Sequence, residues 1–318
     1  LCDMYLNSTF APADIERERE VIREEIMMYR DHPAQHAQEL LSETMWPDHP
    51  LGRPLTGTME TITSFNRQSL LQYMNEHYNG RTTIVTVAGR VRHDEVVALF
   101  EPSLRKLNTG TTPRFRRSPK VPGHTRISLF TQETEQIHLA MGFFAFGRRD
   151  ERRYALKLLS VILGENMSSR LFQKLREQYG FCYSVQSGMV ALADAGLINV
   201  YAGLDAAKAR RAMQVVFKEF ERMSKRKALQ GELRKAQDYT IGQALMGLES
   251  TTNQMMWMGE SILGYGKILD PIEIERRILA VTADDIREAA CFCFQRGRLG
   301  IAVVGPVKTR EEVEAWLK

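Results

Sequence analysis

Apolar residues recur along this chain at two different spacings, and the spacing changes from one stretch to the next. In IEREREVIREEIMMYR (15 to 30), Ile15, Ile22, Ile26 and Tyr29 form one stripe at about 100° per residue, which predicts an amphipathic helix. From 125 onward the alternation shortens to every second residue. TRISLFTQ, QIHLAMGFFAF, FCYSVQSGMV and GLINVYAGL read as strands. A helix around Tyr154 to Leu163 and a shorter one in SRLFQKLREQYG lie among them, and a run of helices extends from Ala206 to Cys293. Strands first and helices after, at hairpin-like spacing, predict an α+β fold: a largely antiparallel sheet with helices packed on one face.

The same order of patterns occurs twice. Residues 60 to 97 and 276 to 313 align without gaps at an offset of 216, pairing Ile62 with Ile278, Leu70 with Ile286, Val87 with Val303, Gly89 with Gly305 and Val91 with Val307. Each copy reads as helix, polar turn, β-rich strand ending in a glycine turn, and helix. Upstream the likeness weakens, with FAPADIEREREVI near KALQGELRKAQDY after a two-residue slip. The expected organisation is two homologous domains, the first incomplete: 1–112 as the second half of one domain, 113–121 as a linker and 122–318 as a whole copy. On that reading roughly 100 residues precede Leu1 in the intact protein.

The first helix carries an anomaly. Glu18 and Glu25 fall at about 300° and 280°, inside the apolar arc between Val21 and Tyr29, while Arg19 and the other charged residues spread over the wet side. A carboxylate on a packed face needs a cation, a hydrogen-bond network or a metal. The wheel does not choose between a site, an ion pair to an arginine and a position at the edge of the face.

Composition narrows the classes. With 318 residues, 43% hydrophobic and 26% charged, the chain has the makeup of a globular protein of about two domains. A net charge of +4 is too small to argue for nucleic acid, and the basic PRFRRSPK (113 to 120) sits among prolines as a solvated linker. No run approaches the ~18 apolar residues of a membrane span. Cys2, Cys182, Cys291 and Cys293 form no CxxC pair, and Cys291 and Cys293 are expected to be reduced core thiols. The opening LCDMYLNSTF has neither an initiator Met nor a signal-peptide pattern and reads as the tail of a helix, so no compartment is legible.

Neither HExxH nor HxxEH occurs among the seven histidines, and GxSxG, a P-loop and a dinucleotide-binding fingerprint are absent. In HPAQH, Pro33 places His32 just before a helix, and in GENMSSR Ser168 or Ser169 is the expected helix cap. Several ordered stretches nevertheless resemble one family. The Glu18–Glu25 helix, with its E-R-E-V-I-R-E-E-I run (18 to 26), is similar to the downstream zinc-site helix of the pitrilysin/insulinase metallopeptidases. DHPLGRPLTGTMETI (48 to 62), TVAGRV (86 to 91) and SSRLFQKLREQYGFCYSVQS (168 to 187) resemble stretches that follow in that family, in its bacterial and mitochondrial-processing-peptidase branch.

The resemblance implies a zinc endopeptidase that cleaves peptides or unfolded segments in an enclosed chamber by metal-activated water. Its inverted H-x-x-E-H motif, with both histidine ligands of the zinc, would lie upstream of Leu1. Glu25 maps to the downstream metal ligand and Glu18 to the carboxylate one heptad earlier that supports it. Arg176 and Tyr183 map to a pair that binds substrate backbone and stabilises the oxyanion. This chain alone is then expected to be inactive. The family also implies a homodimer or a heterodimer with a related subunit. The alternative is a non-catalytic partner or core subunit of a processing-peptidase-like heterodimer.

Overall fold

The structure is a computed structural model and describes residues 1–317. It divides into two compact units. One comprises Leu1–Met28, Leu55–Arg116 and Leu245–Leu269, and the other Tyr29–Pro54, Arg117–Ala244 and Asp270–Lys318. The units interleave in sequence. Residues 29–53 belong to the second unit, whereas the residues 216 positions further on, 245–269, belong to the first.

The helices of the first third are α1 (Cys2–Leu6), α2 (Pro12–Asp31), α3 (Pro33–Met45), α4 (Met59–Ser64), α5 (Arg67–His77) and α6 (His93–Leu104). Strands β1 (Arg126–Thr131) and β2 (Gln136–Ala145) follow, then α7 (Arg153–Ser160), β3 (Cys182–Ala191) and β4 (Gly196–Asp205). Helices α8 (Ala209–Lys225), α9 (Gln230–Gly247), α10 (Thr251–Tyr265), α11 (Pro271–Ala280) and α12 (Ala283–Cys293) lead to β5 (Leu299–Gly305) and α13 (Arg310–Trp316). Between α7 and β3 the chain makes two π-helical segments, Val161–Glu165 and Phe172–Gln178, where α-helix was expected throughout.

The second unit is built on one sheet in the order β1-β5-β2-β4-β3. Its pairs are antiparallel except β1–β5, which is parallel, because β5 returns from the helices to lie between β1 and β2. Side chains sort onto the two faces with period two. Leu139, Met141 and Phe143 of β2 and Leu299, Ile301 and Val303 of β5 join the main core beneath α7, α8 and α12. Ala140, Phe144, Ala302 and Val304 point the other way, onto Ala37, Leu41, Met45 and Trp46 of α3 and its end. Helices therefore cover both faces, not one. Glycine permits that second layer: a Cβ at Gly142 would lie 2.8 Å from Leu197 Cδ1, and one at Gly300 would collide with Met45 Sδ.

The repeat is visible residue by residue. Helices α5 and α12 coincide at the offset of 216, and each opens with a capping box, Asn66 with Ser69 and Thr282 with Asp285. Both copies close at a positive-φ glycine, Gly89 at 143° and Gly305 at 152°. A tight turn follows in each, from Val91 N–H to Gly89 O at 2.9 Å and from Val307 N–H to Gly305 O at 2.8 Å. Helix α3 begins at Pro33 with His32 as its N-cap, as expected. Asn166, not Ser168 or Ser169, supplies the turn before the second π segment, accepting from Ser168 N–H at 2.9 Å. Of the two late cysteines only Cys293 is a core thiol; Cys291 is exposed and donates to Ser224 O at 3.0 Å.

Candidate functional site

The carboxylate-bearing helix is stabilised along its surface by acid-before-base pairs one turn apart: Asp14–Arg17 at 3.3 Å, Glu16–Arg19 at 3.1 Å and Glu20–Arg23 at 2.7 Å. Glu18 and Glu25 are left out of this lacing and make no ion pair among the described residues. Both are exposed, which corrects the expectation that they sit within a packed arc. The reason is that the arc itself is only thinly covered: Ile26 is buried, Ile15, Ile22 and Tyr29 are half-buried, and Val21 is 48% exposed. Seven residues apart, the two carboxylates project from one stripe about 10 Å apart along the axis.

Arg19 was expected in water and is half-buried. Its guanidinium donates to Phe65 O at 2.9 Å and to Ile62 O, two carbonyls at the end of α4 that have no partner within that helix. This fixes the rotation of α2 about its own axis within the first unit.

Arg176 and Tyr183 are brought together. Arg176 sits near the end of the second π segment, where Tyr179 N–H bonds Lys174 O at 3.0 Å and Gly180, at φ 56°, turns the chain out. Tyr183 then enters β3 at a break in register: Cys182 pairs with Leu204 and Ser184 with Gly203, leaving Tyr183 as the extra residue of a β-bulge. Its ring is thereby pushed outward, 74% exposed. The Arg176 guanidinium carbon lies 5.0 Å from the Tyr183 ring centroid and 4.9 Å from that of Phe172. The Arg176 Nε lies 3.8 Å from the Glu177 carboxylate, and ring faces leave the remaining N–H groups for an acceptor outside.

Beside this pair opens a cavity of about 410 Å³, walled by Gly180 to Tyr183, Glu135, Gln136 and Asp205. Burial pushes the Cys182 thiol on its wall up to about 11, with the Arg176 charge pulling the other way. The thiol is therefore protonated at neutral pH and is no nucleophile.

The residues do not by themselves make a metal centre. Among the described residues, no group of three or more His, Cys, Asp or Glu side chains converges on a point where an ion could sit. Glu25 alone offers one carboxylate, with Glu18 about two turns away, and zinc needs three or four protein donors. Sequence reasoning also missed an ionic cluster around the buried Glu219. Placing α8 on a wheel would have found it, since Glu219 lies between Val216, Phe220 and Met223 on the core stripe.

Comparison with known proteins agrees with the fold and the motifs. The profile of the peptidase M16 inactive domain matches residues 64–239, and that of insulinase (peptidase family M16) matches residues 1–59. A zinc protease of Streptomyces coelicolor, itself uncharacterized, is 33% identical over 317 residues, covering 98% of this chain and 69% of that protein. One of Bacillus subtilis is 32% identical over 308 residues, covering 96% and 74%. Among solved structures, a protease from Helicobacter pylori superposes with a TM-score of 0.85 at 20% identity over 92% of this chain and 72% of that one. The peptidase M16 inactive domain from Pseudomonas fluorescens gives 0.83 at 18% over 97% and 74%. A chain of complex III2 from Candida albicans gives 0.85 at 16% over 99% and 76%. The structural likenesses establish the fold, and with the profiles and the sequence identities they place this chain in the M16, or insulinase, family of peptidases.

Proposed function

We propose that the chain is the larger part of a zinc endopeptidase that acts on peptides or unfolded segments inside an enclosed chamber. The observation that carries this reading is the Arg176–Tyr183 pair, a cation steadied by two rings beside an open cavity, with Nε 3.8 Å from Glu177 and its terminal N–H groups able to donate to a peptide carbonyl. Arg176 and Tyr183 would bind substrate backbone and stabilise the oxyanion, Glu25 would contribute one carboxylate to the zinc, and Glu18 would orient it. The remaining ligands are not among these residues, so the chemistry at the metal lies outside what this chain does. The names of the relatives support zinc for the family.

We propose further that residues 1–112 form the second half of a first domain, joined by 113–121 to a second domain at 122–318. In support, residues 83–89 occupy the repeat position of β5 yet pair with no strand among the described residues. In the second copy, β5 is flanked by β1 and β2, and no counterpart of either lies beside 83–89 among the described residues.

Two experiments test the reading. The 318-residue chain, titrated with zinc and incubated with an unfolded peptide, is expected neither to hold an ion tightly nor to cleave. Tight binding of one zinc with turnover would sink the incomplete-site reading. Peptide binding to the same chain should weaken roughly tenfold in Arg176→Ala, the loss of one charge-assisted hydrogen bond. Unchanged affinity in that variant removes the substrate role.

A second reading is a non-catalytic core or partner subunit. It is favoured by the matched inactive-domain profile and by the likeness to a chain of complex III2. Homodimer and heterodimer are both open to a chain of this family. Sedimentation of the chain alone, and with a related subunit added, separates them.

A further inference from the structure

The π segment that presents Arg176 is anchored on its other side by an ionic cluster built around one buried carboxylate, Glu219, with half-buried Arg170, Lys174 and Glu232, and the cluster is incompletely satisfied. Arg170 makes a two-pronged contact with Glu232 of α9, from Nε and Nη2 at 2.8 Å each. Glu232 at the same time accepts from Leu229 N–H at 2.9 Å, capping the start of α9. Glu219 of α8 is 1% exposed and receives the Lys174 ammonium, with Arg170 Nη1 at 3.7 Å and Arg222 Nη1 at 3.9 Å. Its Oε2 and the facing Arg170 Nη1 have no hydrogen-bond partner.

Burying such a cluster adds little to stability, and apolar residues of similar volume often serve as well; what it can supply is one defined arrangement. The arrangement here is a register. Lys174 is held twice, by its side chain at Glu219 and by its carbonyl, which accepts from Tyr179 N–H five residues on. That five-residue bond is the π turn. Were Lys174 free, the segment could close in the ordinary four-residue register, and one residue of slip turns a side chain by about 100°. Arg176 would then leave the Tyr183 ring.

We infer that Glu219, acting through Lys174 and Arg170, is a positioning residue that holds the π segment in the register placing Arg176 over Tyr183. This rests on the proposed role of Arg176 and Tyr183 in substrate binding, but the position and the role can be tested apart. The position is read by ¹⁹F resonance from 3-fluorotyrosine placed at residue 183 in the full chain, with Arg176→Ala defining the shift when the cation is gone. Glu219→Gln should carry the resonance most of the way to the Arg176→Ala value while the thermal transition stays cooperative. Lys174→Arg, which keeps the anchor, should leave it in place. In case Glu219→Gln does not fold, the paired Glu219→Leu, Lys174→Met chain replaces the ions with apolar volume and should show the same displacement.

A folded Glu219 variant whose resonance stays put overturns the inference, and so does an Arg176→Ala chain with no shift, since the contact would then be absent. Peptide affinity reads the role separately. It should fall roughly tenfold in Glu219→Gln as in Arg176→Ala. A resonance that moves while affinity stays constant in both variants keeps the positioning and discards the substrate role.

Discussion

The two copies of the repeat share a helix, a capping box and a glycine turn but give their side chains opposite fates. Ile301 of β5 is fully buried between neighbouring strands, while Val85, its counterpart at the offset of 216, is 41% exposed on an unpaired stretch. Val303 is fully buried and Val87 half-buried. Yet the helix before, its capping box, the positive-φ glycine and the turn after are alike in both. Local signals therefore set the path of the chain without help from the sheet. Burial comes from residues distant in sequence, and only the second copy has them here. Around Val85 and Val87, the first unit instead leaves an apolar groove of about 1060 Å³, lined among others by Leu70, Tyr73, Met74 and Phe100.

The sharpest way to break the comparison is a matched pair of truncations. Ile301→Ala should destabilise the second unit by about 2–5 kcal/mol, the cost of a buried aliphatic deletion. Val85→Ala should shift the first unit by no more than about 0.5 kcal/mol, as at an exposed position. Denaturant titrations followed by hydrogen exchange, so that each unit is read by its own amides, measure both. Equal costs would mean that residues 83–89 are already packed. The next effect is smaller. Gly305→Ala meets both a positive φ and a crowded site, with Gln136 O and Ile137 Cα each 3.1 Å from the new Cβ, whereas Gly89→Ala meets open space. Backbone strain of about 1–3 kcal/mol applies to both, and the crowding only to Gly305. Gly305→Ala should therefore lower its unit's midpoint more than Gly89→Ala lowers the other's.

This contrast also marks what could be read in the sequence. The elements of the second unit were legible because strand alternation and helix stripes differ in period, and the α5–α12 match because capping residues and glycines act locally. The placement of α3 on the far face of the sheet was not legible. Its apolar stripe of Ala37, Leu41 and Met45 says that it packs, but the partners that receive it, Phe144 and Val304, lie about 100 and 260 residues further on. Neither was the parallel β1–β5 pair, since β5 arrives from the far end of the chain and separates strands that hairpin spacing would have paired. The π register left no trace, because four- and five-residue bonds are both made by backbone N–H and C=O groups that nearly every residue carries. At the candidate site, a wheel could mark Glu18 and Glu25 as out of pattern but could not give their exposure, which depends on what covers the helix. It also put Arg19 in water, since the wheel cannot see carbonyls offered by α4. The bulge that turns Tyr183 outward was not legible either, since it depends on the β4 register.

The smallest effect is one of pH, and it belongs to the second unit. Burial, with a contribution from Arg30, holds the His36 pKa below its ordinary 6.5, and burial with His32 does the same to His138. His36 packs edge-on against Phe130 at 4.3 Å, and His138 Nδ1 bonds the Tyr201 hydroxyl at 2.8 Å. Both histidines are thus favoured neutral in the folded state, and the unfolded chain binds protons more readily. Their stabilisation is complete above pH 6.5 and declines as pH falls through that value toward the lower folded pKa. Glu39 and Glu43 act in the opposite sense. Burial raises both above 4.5, so their contribution is full below that pH and fades as pH rises through their folded values. The histidine effect is therefore cleanest just below pH 6.5. There the exchange protection of Ile301 to Val304 should weaken with falling pH, and His138→Asn should flatten the slope. An unchanged slope in that variant would move the proton uptake elsewhere in the unit, with His36→Asn as the next position to test.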